Sequence, residues 1–110
     1  MQNISLLKLS VQASGAVTAK QFVGFDGAVA TAAGNAYGVA EFDAANTELV
    51  SLTIVGTAVV KSGAAFAKGA ALEVGSDGKA VTQSAGVTVA RALEAASAAD
   101  EDVEVLLINN

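Results

Sequence analysis

Hydrophobic and polar residues alternate along much of this chain, a pattern typical of β-strands that are buried on one face. The clearest stretch is residues 48–60, where valine, leucine and isoleucine alternate with other residues and Gly56 marks a bulge or bend. In a first segment, Leu7, Leu9 and Val11 share one face. Alternation predicts further strands at residues 17–25, 37–42 and 102–108, the last of which buries Val103, Val105 and Leu107.

Turn-forming residues separate several of these stretches. Gly75-Ser76-Asp77-Gly78 lies between residues 71–74 and 79–82 and predicts a hairpin, because Asp-Gly supplies the positive φ that tight hairpin turns need. Residues 87–95 are rich in alanine, which favours helix, but they alternate and follow no capping residue with an acidic first turn. We therefore expect a strand at residues 87–95 and a single helical turn at residues 64–68.

These elements predict a mainly β protein: a small single-domain β-barrel or β-sandwich with at most one short helical turn. The 110 residues fit one domain. We expect residues 1–12 to form an amino-terminal arm or a first strand, and residues 13–110 to form the barrel or sandwich.

A faint internal repeat relates residues 39–54 to residues 89–108. Each would contain a strand, a polar loop and a second strand, which makes two related hairpins in one barrel. The alternative is coincidence, because alanine and valine dominate the chain and chance similarity is common in such sequences.

The composition argues against catalysis. The chain has no histidine, cysteine or tryptophan, so the serines have no imidazole base and the common metal ligands are missing. It also lacks a phosphate-binding loop, a dinucleotide fingerprint and a Ser-x-x-Lys motif. We therefore predict that the protein is not an enzyme and has no catalytic residues, no cofactor and no metal site.

Charge and hydropathy limit the partners further. The net charge is −5 and the six basic residues are scattered, which argues against nucleic-acid binding. No apolar run reaches the about 20 residues of a membrane-spanning helix, and the amino terminus lacks a signal-peptide pattern. Only 15% of residues are charged while 53% are hydrophobic, so much of the surface is apolar and suited to contact with other protein.

Two groups of residues allow a second interpretation. The acidic residues 100–102 with Glu104 could bind calcium, but they lack the spacing of an EF-hand, and a solvated loop explains them better. An exposed cluster of Tyr37 and phenylalanines such as Phe42 would indicate an adhesion or carbohydrate-binding module instead. An enzyme that uses carboxylates alone would need two buried acids facing a cleft.

The order of several short motifs resembles the decoration, or cement, proteins of tailed-bacteriophage capsids. Each motif is weak by itself, but the ordered set covers about two thirds of the chain. The motifs are Gly38-Val39-Ala40, Gly56-Thr57-Ala58-Val59-Val60, Ala67-Lys68-Gly69-Ala70-Ala71-Leu72, Ser76-Asp77-Gly78-Lys79-Ala80-Val81, and Val89-Ala90-Arg91-Ala92-Leu93-Glu94-Ala95-Ala96 leading into Val103-Glu104-Val105-Leu106-Leu107.

The resemblance implies a structural virion protein that is made in the host cytoplasm and binds the outer capsid surface. Its expected partners are the major capsid protein and two further copies of itself in a homotrimer. It would stabilise contacts between capsomers without catalysis.

The resemblance says nothing about the first dozen residues, so their role must be inferred from the residues themselves. Apolar groups on both faces fit an extended segment that adds to the sheet edge of another protein. We expect capsid-binding residues here, although an ordinary first strand is an equal alternative. The candidates are Asn3, Ile4, Leu6, Leu7 and Leu9.

Overall fold

The computed structural model describes residues 2–108, and within them it is mainly β, as predicted. The described part contains one short helical turn, the 3-10 turn Ser76–Gly78, and no helix in it is long and apolar enough to cross a membrane. The strands are β1 (Ser5–Gln12), β2 (Phe22–Val23), β3 (Gly38–Ala40), β4 (Leu49–Lys61), β5 (Ala71–Val74), β6 (Ala80–Thr82), β7 (Ala90–Ala92) and β8 (Asp102–Leu107).

All eight strands belong to one sheet that curls into a nearly closed barrel. Its order is β2-β3-β4-β8-β7-β5-β6, and β1 pairs with β4 beside that path. β4 is the longest strand, with 13 residues. Its first part pairs with β1 and β3, and its second part pairs with β8, so one strand connects both sides of the molecule.

The two halves of the chain repeat one hydrogen-bonding scheme. In the first half, the first part of β4 pairs with β1 and β3, and β3 pairs with β2. In the second half, β8 pairs in the same way with the second part of β4 and with β7, and β7 pairs with β5. The equivalent residue pairs are Val17–Ala44 and Phe66–Ala96, Ala13–Glu48 and Ser62–Glu101, Lys20–Ala40 and Gly69–Ala92, and Tyr37–Val23 and Val89–Leu72.

The structure therefore supports the internal repeat, and the hairpins β3–β4 and β7–β8 are its two copies. The alignment of the two copies differs from the one read from the sequence. The sequence comparison aligns Val39 with Val89, whereas strand pairing makes Val39 equivalent to Arg91, two residues further on. Backbone hydrogen bonds define this register, and they constrain side-chain identity only weakly.

Each half has an apolar cluster. The larger cluster lies mainly in the second half and includes Leu72, Val103 and Val105, and the smaller one includes Val50 and Leu52 in the first half. The predicted face of the last strand is confirmed, because Val103 and Val105 are buried and Leu107 packs against the larger cluster.

Several local predictions are confirmed. The β5–β6 hairpin forms, and Asp77 and Gly78 in its turn have φ angles of 59° and 68°. The segment predicted as a strand at residues 87–95 is a strand rather than a helix, although only residues 90–92 form it, because these residues pair with β5 and β8 on either side.

Three local predictions differ from the structure. Residues 64–68 form no helical turn, because Phe66 pairs with Ala96 in an isolated bridge and is buried there. The strand expected at residues 17–25 is only Phe22–Val23, since Lys20 has a φ of 70° that interrupts extended backbone. On the predicted apolar face of β1 only Val11 packs against a cluster, while Leu7 and Leu9 are exposed.

Candidate functional site

β1 is an edge strand in the part of the chain that the structure describes. It pairs with β4 along one side only, from Ser5 opposite Gly56 to Gln12 opposite Leu49. The register shifts on both sides of Leu7. An edge of this kind leaves backbone N–H and C=O groups available to a strand from another protein.

Large apolar side chains are concentrated on this strand and on the segment before it. Ile4 is 50% exposed, Leu6 75%, Leu7 43% and Leu9 38%. We call these four residues, with the exposed Asn3, the amino-terminal edge. The structure thus places all five candidate residues along one continuous segment, and the division of the chain at residue 12 stays a prediction.

Specific contacts hold the amino-terminal edge against the sheet. Ile4 N donates to Thr57 Oγ1 and Thr57 N donates to Ile4 O, each at 2.8 Å. The Ser5 and Thr53 hydroxyls are 3.1 Å apart, and Lys8 Nζ lies 2.9 Å from Glu41 Oε2. The exposed leucines are therefore presented from an ordered strand, which lowers the entropic cost of binding.

Two aspartates near β8 are paired with lysines. Asp102 contacts Lys20 Nζ at 2.8 Å and Lys61 Nζ at 2.6 Å, while Asp100 contacts Lys79 Nζ at 2.6 Å. The hydrogen bond from Lys20, followed by that from Lys61, lowers the pKa of Asp102. Among residues 2–108 no group of three carboxylates is placed to hold a metal ion. The two aspartates instead connect segments that are distant in sequence.

A comparison with protein families settles the relationship. The model of the family described as "Phage cement protein" matches residues 1–107. The chain belongs to the phage cement protein family. This confirms the resemblance that the ordered motifs indicated, and it makes the chain a structural protein of the phage particle.

The fold of this cement-family chain also occurs in a solved phage protein. The head fibre gp8.5 N base of bacteriophage phi29 is 22% identical, with a TM-score of 0.75 over 93% of each chain. At this identity the likeness shows the shared fold alone. No curated protein sequence matches the chain.

Sequence reasoning missed one feature of this cement-family chain. The ring of Tyr37 lies against that of Phe25, with centroids 4.8 Å apart and an interplanar angle of 31°. Phe25 is 65% exposed. The available signal was the placement of an aromatic residue inside the turn Gly24-Phe25-Asp26-Gly27, where turn chemistry requires none.

Proposed function

We propose that this protein binds the outer surface of a phage capsid through the amino-terminal edge and stabilises contacts between neighbouring capsomers without catalysis. Its partner is the major capsid protein, and it assembles there after synthesis in the host cytoplasm. The observation that carries the proposal is the exposure of Leu6, Leu7 and Leu9 on one edge strand and of Ile4 just before it.

Exposed apolar residues are costly in water when they are clustered. Single exposed leucines are ordinary on a protein surface, but a contiguous group on an edge strand marks a place where another protein packs. Burying a leucine contributes roughly 1.5–3 kcal/mol through the hydrophobic effect. Addition of a capsid strand to β1 would bury these side chains and satisfy the free backbone groups together.

We further propose that the protein acts as a homotrimer. Three copies that contact several capsid subunits at once convert modest contacts into strong attachment, because the later contacts form at high effective concentration. A ligand that binds the assembled shell in preference to free subunits stabilises the shell by mass action.

Substitution of the most exposed leucine tests the binding surface. The variant Leu6→Asp places a charge where an apolar contact is expected, so binding to phage shells that lack this protein should weaken by at least about tenfold. Co-sedimentation measures the binding, circular dichroism confirms the fold, and the heat stability of the shells shows whether they are reinforced.

Phe42→Asp is the matched control, because Phe42 is 49% exposed and lies outside the amino-terminal edge. It should bind shells as the wild type does. Folded Leu6→Asp protein that binds shells with wild-type affinity would overturn the assignment of this surface. A monomeric mass in sedimentation equilibrium, both free and when released from shells, would overturn the trimer.

A further inference from the structure

A cleft of about 320 Å³ lies in the first half of the molecule, away from the amino-terminal edge. The exposed ring of Phe25 forms one wall. Gly24, Asp26, Thr31 and Asn35 contribute to the remaining lining. This volume is at the lower end of the range for small-molecule sites.

The repeat provides an internal comparison for this cleft, because the second half fills the corresponding place with its own side chain. Glu73 is buried there, and its Oε1 accepts hydrogen bonds from Ser84 N at 2.6 Å, Ser84 Oγ at 3.3 Å and Gly86 N at 3.3 Å. The hydrogen bond from Ser84 N, the largest influence, lowers the pKa of this carboxyl.

Backbone hydrogen bonds establish which residues correspond. Val23 and Leu72 accept equivalent bonds, so the following residues, Gly24 and Glu73, are equivalent. Ala30 N donates to Phe22 O in the first half, and Gln83 N donates to the equivalent Ala71 O in the second. Ala30 and Gln83 are therefore equivalent, and so are the next residues, Thr31 and Ser84. The cleft exists because glycine stands where the other half has a glutamate.

The missing carboxylate leaves donors without partners. Within residues 2–108, the N–H and hydroxyl of Thr31 donate to no protein group, whereas both equivalent groups of Ser84 bind Glu73. The side-chain amide nitrogen of Asn35 likewise has no protein acceptor there; only its Oδ1 is used, by Ala36 N at 2.9 Å. Three donors therefore line the cleft and are available to a ligand.

The surroundings decide the class of ligand. An anion would meet the carboxylate of Asp26, and no lysine or arginine lines the cleft in the described part of the chain. Asp26 Oδ1 accepts Ala28 N at 3.1 Å, which leaves lone pairs for a ligand hydroxyl. An exposed aromatic face beside mixed donors and acceptors suits a molecule with apolar ring faces and a rim of hydroxyl groups.

We propose that this cleft binds a neutral sugar of one or two rings. The sugar stacks on Phe25, whose ring contacts that of Tyr37, and its hydroxyls accept from Thr31 and Asn35 and donate to Asp26. The site gives a structural protein of the phage particle a second activity, attachment to glycans, which is independent of capsid binding.

Titration of ¹⁵N-labelled protein with glucose, galactose, N-acetylglucosamine and its β-1,4-linked dimer tests the proposal. At least one of these sugars should shift the amide signals of Thr31 and Asn35 in a saturable way, with affinity in the millimolar range. Acetate, titrated separately, should leave these signals in place. Saturable shifts with acetate but with none of the sugars would show a carboxylate site and overturn the proposal.

Gly24→Gln is the decisive variant, because it supplies the counterpart of Glu73 without adding charge. Gly24 is not among the glycines with a positive φ, and the nearest atom to an added Cβ is Asp26 Oδ1 at 3.1 Å. The glutamine should fill the cleft and abolish the sugar-dependent shifts. Phe25→Ala, which keeps the cleft open but removes the stacking surface, should weaken sugar binding by about tenfold or more.

Phe42→Ala removes an exposed ring outside the cleft and should bind sugar as the wild type does. No saturable shift with any of the four sugars would overturn the proposal, as would shifts that persist in both cleft variants. These experiments use the isolated chain without capsids, so their failure would leave the capsid-binding proposal unaffected.

Discussion

Gly56 lies within β4 at the point where β1 begins to pair with it, and its φ is 115°. A side chain at this position would be strained, and an added Cβ would lie 2.1 Å from Ile4 O. The absence of a side chain therefore permits the amino-terminal edge to approach β4 closely. The bulge or bend expected from the sequence corresponds to the register shifts that begin at this residue.

Replacing Gly56 with alanine should destabilise the fold by about 1–3 kcal/mol, because the residue must adopt a left-handed conformation and Ile4 must move. Urea unfolding followed by circular dichroism measures the change. Gly15→Ala is the control, since an added Cβ there meets nothing within 4 Å, and it should leave the stability nearly unchanged. Equal stability of the two variants would refute this role for Gly56.

At the scale of elements, ion pairs connect parts of the chain that are distant in sequence. Asp102 at the start of β8 contacts Lys61 at the end of β4 and Lys20 in the loop before β2. The pairing joins both halves of the repeat at one point. Ion pairs of partly exposed groups stabilise modestly, but this carboxylate has two lysine partners.

This arrangement predicts a pH dependence. The pKa of Asp102 is lower in the folded chain than its ordinary value of 3.8, chiefly because of the hydrogen bond from Lys20. The ion pairs therefore stabilise the fold fully above that value, and their contribution is lost as the pH falls through the lowered pKa. The free energy of unfolding should accordingly decrease on acidification from about pH 6 to about pH 2.5.

Asp102→Asn should show a smaller decrease than the wild type over the same interval. Asp43→Asn serves as the control: Asp43 forms no ion pair among residues 2–108, and an asparagine can still accept the hydrogen bond from Ala19 N. It should retain the wild-type pH dependence. If Asp102→Asn retained it as well, the ion pairs would contribute nothing to acid stability.

Considered as a whole molecule, the protein has two apolar clusters but one continuous sheet. Leu52 belongs to the smaller cluster and Leu72 to the larger, and both are fully buried. β4 runs through both halves of the repeat, so neither half has a complete set of strands without it. This shared strand should make the two halves unfold together.

Leu52→Ala and Leu72→Ala should each destabilise the protein by about 2–5 kcal/mol, since each leaves a cavity in a closely packed cluster. Both variants should unfold in one cooperative transition, with coincident curves from circular dichroism and from the fluorescence of Tyr37. Two separate transitions in either variant would show that the halves are independent units.

Much of the fold was predictable because strand patterning is local. The alternation in residues 48–60 and the hairpin turn at Asp77-Gly78 correspond to observed elements, and residues 87–95 contain the short strand β7. The failures occurred where a long-range partner decides the conformation. Phe66 is extended because Ala96 pairs with it, and no residue in 64–68 indicates that partner.

The candidate surface was predictable only in part. The apolar residues near the amino terminus are visible in the sequence, but alternation alone predicts a buried face for Leu7 and Leu9. Their exposure follows from the position of β1 outside the main strand order, with β4 as its only described neighbour. The cleft beside Phe25 was not predictable at all, because it depends on a long-range correspondence in which Gly24 occupies the position of Glu73, and the N–H and hydroxyl of Thr31 find no acceptor in residues 2–108.

By itself, the sequence determined the fold class and the scarcity of reactive side chains, because composition, alternation and turn chemistry act over a few residues at a time, and the order of its motifs resembled the right family. Only the tertiary structure decided which apolar strand remains exposed, how one hydrogen-bonding scheme is used twice, and where the two halves differ. Those properties depend on pairings between residues such as Val17 with Ala44 and Phe66 with Ala96. Such pairings arise from the closure of the whole sheet, and local sequence does not encode them.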